Sequence, residues 1–350
     1  MVNMNLRMHC RMISKGDYAS YVLGVDIGGT HTNLGVAGVA SGKATLLYST
    51  HFQTQELSSL IPAIRDTLEV GWDRWGIEVK SGCAGGAGPA LACRRSRLTN
   101  VPWDLDADEI EREFGFDEFY IINDFQAIGY GIDLLGEGDL LQAKAGWRSP
   151  GETMGIIGAG TGLGKAIMIH DGAGYRPHPS EGGHGDFPLH DDFDLDMARS
   201  LRGDRKTPLS YEDVLSGRGI EGIYAFLSGR EGKGTRSREI LGAEGKAALI
   251  SKYRLEDDLC REAFSVYAKC YARCAKNFVL DCLATGGLYI AGGIAAKNAD
   301  IFLSSKFQEE FLNAEKQRSL LERTPIHVIL NYDVSLYGAC HAATIPASQG

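Results

Sequence analysis

No run of about 18 consecutive apolar residues occurs in the 350-residue sequence, which leaves no segment of the length a membrane-spanning helix needs. Positive charge is also scarce: 36 Lys and Arg stand against 45 Asp and Glu, a net charge of −9. That balance argues against nucleic acid or an anionic membrane as a partner. A small anionic ligand would have to be met locally, by backbone N–H groups or a metal ion. The eight cysteines (10, 83, 93, 260, 270, 274, 282 and 340) contain no Cys-x-x-Cys pair, so the usual ligand spacing of a structural zinc site is missing. Cys270, Cys274 and Cys282 fall on one expected helix and read as reduced core thiols of a cytoplasmic protein. A Walker A loop is absent, since no glycine is followed at the required spacing by Gly-Lys-Ser or Gly-Lys-Thr. The first 20 residues are basic in places but have no continuous apolar core. They are expected to be a loose extension ahead of the first strand and not a secretory signal.

Apolar strand-like runs alternate with helical patterns, the signature of an α/β protein. Leu57, Leu60, Ile61, Ile64, Leu68, Trp72 and Trp75 recur at helical spacing, as do Phe264, Tyr267, Tyr271, Cys274, Phe278 and Cys282. Both stripes are expected to be core, the second ending at Gly286–Gly287 before a strand over 288–291. The glycine- and charge-rich stretch 228–239 reads as a surface loop or insertion.

Two stretches stand apart. VLGVDIGGTHTNLGV (22–36) and MGIIGAGTGLGKAIMI (154–169) each place apolar runs on both sides of a Gly/Thr turn, with Gly29–Thr30 and Gly160–Thr161 lying 131 residues apart. The pair suggests two similar half-molecules facing one another across a cleft. Glycine lets the backbone approach a ligand and turn successive N–H groups onto an anion, and Thr30 and Thr161 add hydroxyls. Asp26 would repel a bare phosphate but suits a hydrated Mg²⁺, which takes only one or two carboxylates from a protein. The plainer alternative is a tight hairpin that needed its glycine and nothing else. A dinucleotide loop fits the second turn poorly: Gly-x-Gly-x-x-Gly counted from Gly158 reaches Leu163, and a strand follows where a helix is needed.

Carboxylates follow. FYIINDFQAIGYGI (119–132) is an apolar strand ending at Asn123–Asp124 ahead of a helical pattern. Either residue can cap that helix, and a carboxylate at a strand end can also serve as a general base. SEGGHGDF (180–187) sets Glu181 and His184 on a loop, spaced to bond neighbouring sugar hydroxyls. Ser210 precedes a helix start with Glu212 in its first turn, and Asn100 lies in a proline turn. The inventory of phosphate cradle, metal carboxylate, base and hydroxyl readers suits phosphoryl transfer to a polyol.

In this order the motifs resemble the bacterial-type glucokinases of the hexokinase–actin-like ATPase superfamily, from about residue 22 to 345. DIGGTHTNLG is similar to the first phosphate motif, IINDFQAIGYG to the connecting motif with the catalytic aspartate, and GAGTGLG to the second phosphate motif. EGGHGDF and YEDVLSG resemble the sugar-binding segments, YIAGGIAAKN (289–298) the adenosine motif, and VSLYGACHAA (334–343) the closing helix. The resemblance implies an α/β, two-domain actin-like ATPase (ribonuclease H-like) fold with an interdomain cleft. The expected division is an extension over 1–20, a small domain over 21–134 plus 334–350, and a large domain over 135–333.

It further implies ATP and Mg²⁺ as cofactors, glucose as substrate, and a cytoplasmic enzyme, with a homodimer expected only as the commonest assembly. Asp124 would take the proton of the sugar 6-hydroxyl; Asn123, Glu181, His184, Glu212 and Asn100 would hold the other hydroxyls. Asp26 would place Mg²⁺. Gly28, Gly29, Thr30, Gly160, Thr161 and Gly162 would embrace the phosphates, with Gly292 and Gly293 at the base and ribose. Residues 184–196, HGDFPLHDDFDLD, hold no cysteine, unlike the zinc motif that follows the EGGH segment in the related ROK family. The remaining readings are a kinase for another hexose or aminosugar and a sugar sensor without catalysis. The sensor lacks a basic helix-turn-helix extension, since 20 residues precede the first strand.

Overall fold

The computed structural model describes residues 4–14, 16–88, 90–98 and 101–345. The chain divides into two compact units: residues 1–136, 175–179 and 333–350 form one, and residues 137–174 and 180–332 the other.

In the first unit the strands Asn5–Met8, Lys43–Gln53, His31–Ala40, Ser20–Ile27, Ser81–Gly86 and Glu118–Asn123 lie side by side in that order. The first three pairings are antiparallel and the last two parallel. The stretch expected to be a loose extension therefore supplies an edge strand, with Asn5 opposite His51 and Met8 opposite Tyr48. Helix Ile61–Trp75 covers the sheet, starting four residues later than its apolar stripe, where Pro62 fits the first turn. Leu57 and Leu60 are buried ahead of it, but Trp72 points outward and is 59% exposed, so the stripe overstates the buried face. On the Asp124–Gly131 helix packs Val334–Ala342. A side chain at Gly338 would strike the Ala127 carbonyl, and one at Gly131 the Val334 carbonyl, so glycine lets these backbones touch.

The second unit repeats the theme. Its hairpin, Met154–Ala159 with Leu163–His170, is antiparallel, and Met154–Ala159 pairs in parallel with Gly287–Ala291, then Ile326–Ile329. Leu140–Lys144 closes that edge. The predicted stripe forms the buried face of helix Asp258–Cys282. On it Arg273, fully buried, is held by Asp194 at 2.7 Å and Glu310 at 3.0 Å. Most of the expected loop 228–239 is helical instead: Gly217–Glu231 runs into it and Ser237–Leu241 leads out. The short link is tied down by Asp257, which accepts from the Thr235 hydroxyl (2.7 Å) and the Arg236 N–H (3.0 Å) while capping the long helix through Cys260 N–H. Burial alone would raise the Asp257 pKa, but these hydrogen bonds bring it down to about 2.

Burial also lowers His9, His51, His190, His327 and His341 from the ordinary 6.5. A histidine with a depressed folded pKa stabilises the fold fully above its unfolded value and loses that contribution as pH falls through it. The urea midpoint is therefore expected to fall between pH 7.5 and pH 5.5; an unchanged midpoint would contradict burial of these rings.

Candidate active site

The two Gly/Thr turns share one hydrogen-bond plan. The Gly28 N–H donates to His31 O at 2.9 Å, and its carbonyl accepts from the Thr54 hydroxyl at 2.8 Å. In the second unit the Gly160 N–H donates to Gly162 O at 2.8 Å, and its carbonyl accepts from Gly217 N–H at 3.0 Å. Gly28 and Gly160 thus close their turns and do not offer an N–H to a ligand. Among the described residues, the next two N–H groups in each turn, on Gly29 and Thr30 and on Thr161 and Gly162, have no partner in the protein. Thr30 and Thr161 are exposed. Adjacent outward amides with a hydroxyl beside them suit phosphate oxygens.

At the end of its strand Asp26 faces two donors: the Ser335 hydroxyl at 2.7 Å and the Asn33 amide at 3.2 Å. Burial raises its pKa while both hydrogen bonds oppose the rise. Among the described residues no three His, Cys, Asp or Glu gather as a metal cage. The Asp26 carboxylate with a hydroxyl neighbour, and with the Asp333 charge near enough to raise its pKa further, is a hard-oxygen donor set that fits Mg²⁺ held mainly by water and phosphate.

Capping at the next strand end falls to Asn123. Its Oδ1 accepts the Phe125 N–H at 2.9 Å, and its own N–H donates to Gln126 Oε1 at 3.0 Å, a capping box. Its Nδ2 reaches Gly88 O at 3.4 Å, so one amide hydrogen remains for a ligand. Asp124 occupies the first helical position, half-buried, with Oδ1 accepting the Phe125 N–H at 3.0 Å. Gln126 Nε2 bonds Pro177 O at 3.1 Å. Asn100 lies outside the described residues.

In the second unit Glu181 and His184 flank a short turn with exposed side chains, Oε2 and Nε2 3.6 Å apart. Gly183, buried between them, lies so close to the Leu163 carbonyl that a Cβ would collide with it. Glu212 approaches the same residue: its Oε2 accepts the Leu163 N–H at 3.1 Å, and Arg218 lies 3.4 Å from Oε1. Ser210 caps that helix with Asp213 as its reciprocal partner, so Glu212 is not needed for capping. The second Gly/Thr turn, the Glu181–His184 turn and Glu212 thus meet at the Leu163 backbone.

A cavity of about 560 Å³ opens beside this turn, lined by Gly160, Thr161 and Gly293 together with Ser251, Lys297 and Asn298. Gly292 does not line it; at φ +93, with Ala159 O 2.5 Å from where a Cβ would sit, it makes the bend from strand to helix. Ser251 was missed because its helix, Lys246–Tyr253, carries no motif. The only clue is its hydrogen bond to Asn298 at 2.8 Å, which is not visible in the sequence.

The model of the Glucokinase family matches residues 23–345. A glucokinase of Nostoc punctiforme is 34% identical over 343 residues, covering 92% of this chain and 98% of its own. One of Cronobacter sakazakii is 30% identical, over 91% of this chain and 95% of its own. The crystal structure of a glucokinase from an Antarctic psychrotroph superposes with a TM-score of 0.79 at 26% identity, over 93% of this chain and 98% of that one.

Gly183→Ala and Gly292→Ala are each expected to cost about 2 kcal/mol or more, because backbone atoms must shift. Gly160→Ala, whose Cβ meets nothing within 4 Å, is expected to stay within about 0.5 kcal/mol of the wild type. Equal melting temperatures for all three would contradict these contacts.

Proposed function

Because the chain belongs to the glucokinase family, and so transfers the γ-phosphoryl group of Mg·ATP to the 6-hydroxyl of glucose, we propose that Asp124 is its general base. The observation that carries this assignment is the division of labour after the strand Glu118–Asn123. Asn123 and Gln126 form the capping box, so Asp124 is not needed as the cap, and the Phe125 N–H, shared between Asn123 Oδ1 at 2.9 Å and Asp124 Oδ1 at 3.0 Å, orients the Asp124 carboxylate. A carboxylate held in one orientation can accept the hydroxyl proton as the oxygen attacks phosphorus.

The other residues act by position and charge. Glu181, His184 and Glu212 accept or donate to sugar hydroxyls, with the remaining amide hydrogen of Asn123 as a further donor. The outward N–H groups of Gly29, Thr30, Thr161 and Gly162 take phosphate oxygens, and the cavity beside Gly293 receives the nucleoside. Asp26 orients the magnesium ion, which neutralises charge on the phosphates when bound. Since Glu212 bonds the Leu163 N–H, a hydroxyl that orders Glu212 also steadies the second phosphate turn. All eight cysteines are free thiols, which supports a reducing compartment, the cytoplasm. No described helix is long and apolar enough to cross a membrane.

The test is ADP release from Mg·ATP with glucose, mannose, fructose or N-acetylglucosamine, for wild type and Asp124→Asn. Glucose is expected to give the highest kcat/KM. Asp124→Asn is expected to lower kcat by about 10² or more with little change in glucose KM, as for a lost general base. A variant with near wild-type kcat would remove Asp124 from this role, and preference for another sugar would move the substrate while keeping the mechanism.

A further inference from the structure

A single line of side chains crosses three strands of the first unit. Asp26 is directly opposite Asn33 in the hairpin, and Asn33 is directly opposite His51 on the next strand. The register therefore sets the three in one row on one face of the sheet. Ser49, two residues before His51, shares that face, and His9 follows the edge strand Asn5–Met8.

These groups form one hydrogen-bonded chain. His9 Nε2 is 2.9 Å from the Ser49 hydroxyl, which is 3.0 Å from His51 Nε2. His51 Nδ1 is 2.7 Å from Asn33 Oδ1, and Asn33 Nδ2 is 3.2 Å from Asp26 Oδ2. The other Asp26 oxygen takes the Ser335 hydroxyl at 2.7 Å.

Donor rules assign a direction to every link. An ionised carboxylate only accepts, so Asn33 must present its NH₂ to Asp26 and its carbonyl oxygen to His51. His51 must then carry a proton on Nδ1. As a neutral ring it accepts at Nε2 from Ser49, and Ser49 in turn accepts from His9. A charged His51 would instead donate from Nε2 and turn the Ser49 hydroxyl toward His9, with the Nδ1–H to Asn33 kept in either state. The surroundings favour the neutral ring: burial lowers its pKa foremost, Asp333 opposes, and Arg7 and His31 add to the lowering.

We propose that His51 is a positioning residue for the magnesium carboxylate, its Nδ1–H holding Asn33 so that the amide aims Asp26. This rests on the reading of Asp26 as the carboxylate that orients Mg²⁺. Groups bonded directly to a metal ligand, as Asn33 is to Asp26, fix its orientation, and losing them typically weakens metal affinity about 10- to 100-fold. His51 acts one bond farther out, through Asn33, so the lower end of that range is expected.

Two variants separate the role from mere packing. In His51→Asn the amide nitrogen falls near the position of Nδ1 and keeps the donor to Asn33. In His51→Gln the amide reaches toward the position of Nε2 and loses that donor. His51→Gln is expected to raise the Mg²⁺ concentration for half-maximal activity roughly 10-fold, with kcat at saturating Mg²⁺ little changed, while His51→Asn keeps the wild-type requirement. The same Mg²⁺ requirement in both variants would overturn the proposal. Asp26→Asn is the control. If it leaves the Mg²⁺ requirement unchanged, the reading of Asp26 itself fails; if it raises the requirement and His51→Gln does not, only the role of His51 fails. A readout independent of turnover is the nitrogen NMR spectrum of histidine-labelled, metal-free wild type, with His51 assigned by its loss in His51→Asn. A neutral ring protonated on Nδ1 is expected, and protonation on Nε2 would overturn the proposal even if His51→Gln fails to fold.

Discussion

Each Gly/Thr turn has to close a hairpin and still leave amides outside it, and much of the site depends on how that conflict is resolved. A two-stranded antiparallel ladder normally consumes the N–H groups at its end. Here the first glycine closes the turn, through His31 O in one unit and Gly162 O in the other. The two following N–H groups are left pointing away from the ladder. The glycines give room of different kinds: a Cβ at Gly28 would sit 3.1 Å from His31 O, one at Gly162 would sit 2.6 Å from Glu212 Oε2, and one at Gly160 would meet nothing within 4 Å. The unpartnered amides are therefore a by-product of how the hairpin terminates.

Much of this was legible in the chain. The two hairpins announce themselves as a Gly/Thr turn between apolar runs, and the long helix as a stripe from Phe264 to Cys282. The order of motifs was enough to name a family. What escaped was non-local. The segment 228–239 looks like an insertion because glycine and charge dominate it, yet Asp257, some twenty residues away, supplies the acceptors that order its middle. The same holds for Asn5–Met8, whose edge pairing depends on a strand forty residues on. Gly28 was read as a phosphate ligand because motif reasoning counts glycines and does not follow where each N–H goes. The row Asp26, Asn33, His51 depends on strand register, which spacing along one chain does not encode.

Trp72 shows the opposite error. Helical periodicity assigned it to the core, but the buried face of its helix is made by Ala63, Ile64, Thr67 and Gly71. Small residues there let the helix lie close to the sheet, and of its two large rings Trp75 packs on Tyr48 at 5.4 Å between centroids while Trp72 is left outside. A hydrophobic stripe identifies a helix more securely than it identifies which of its apolar side chains are covered.

The two hairpins, alike in plan, differ in what surrounds them, and the difference divides their chemistry. The offset that relates Gly29 to Gly160 takes Asp26 to Ile157 and Asn33 to Gly164. Ile157 is fully buried, so the second turn has neither a carboxylate nor an amide to aim one. It has Glu212 and Gly183 instead, both fastened to the Leu163 backbone. The first hairpin thus sets a carboxylate beside its unpartnered N–H groups, and the second hairpin has none of its own. Its nearby glutamate, Glu212, is met by two donors, the Leu163 N–H and the Arg218 guanidinium. The asymmetry has an electrostatic side: a carboxylate beside a row of N–H groups weakens the field they offer an anion unless donors satisfy it, as Ser335 and Asn33 do for Asp26 and Leu163 N–H and Arg218 do for Glu212.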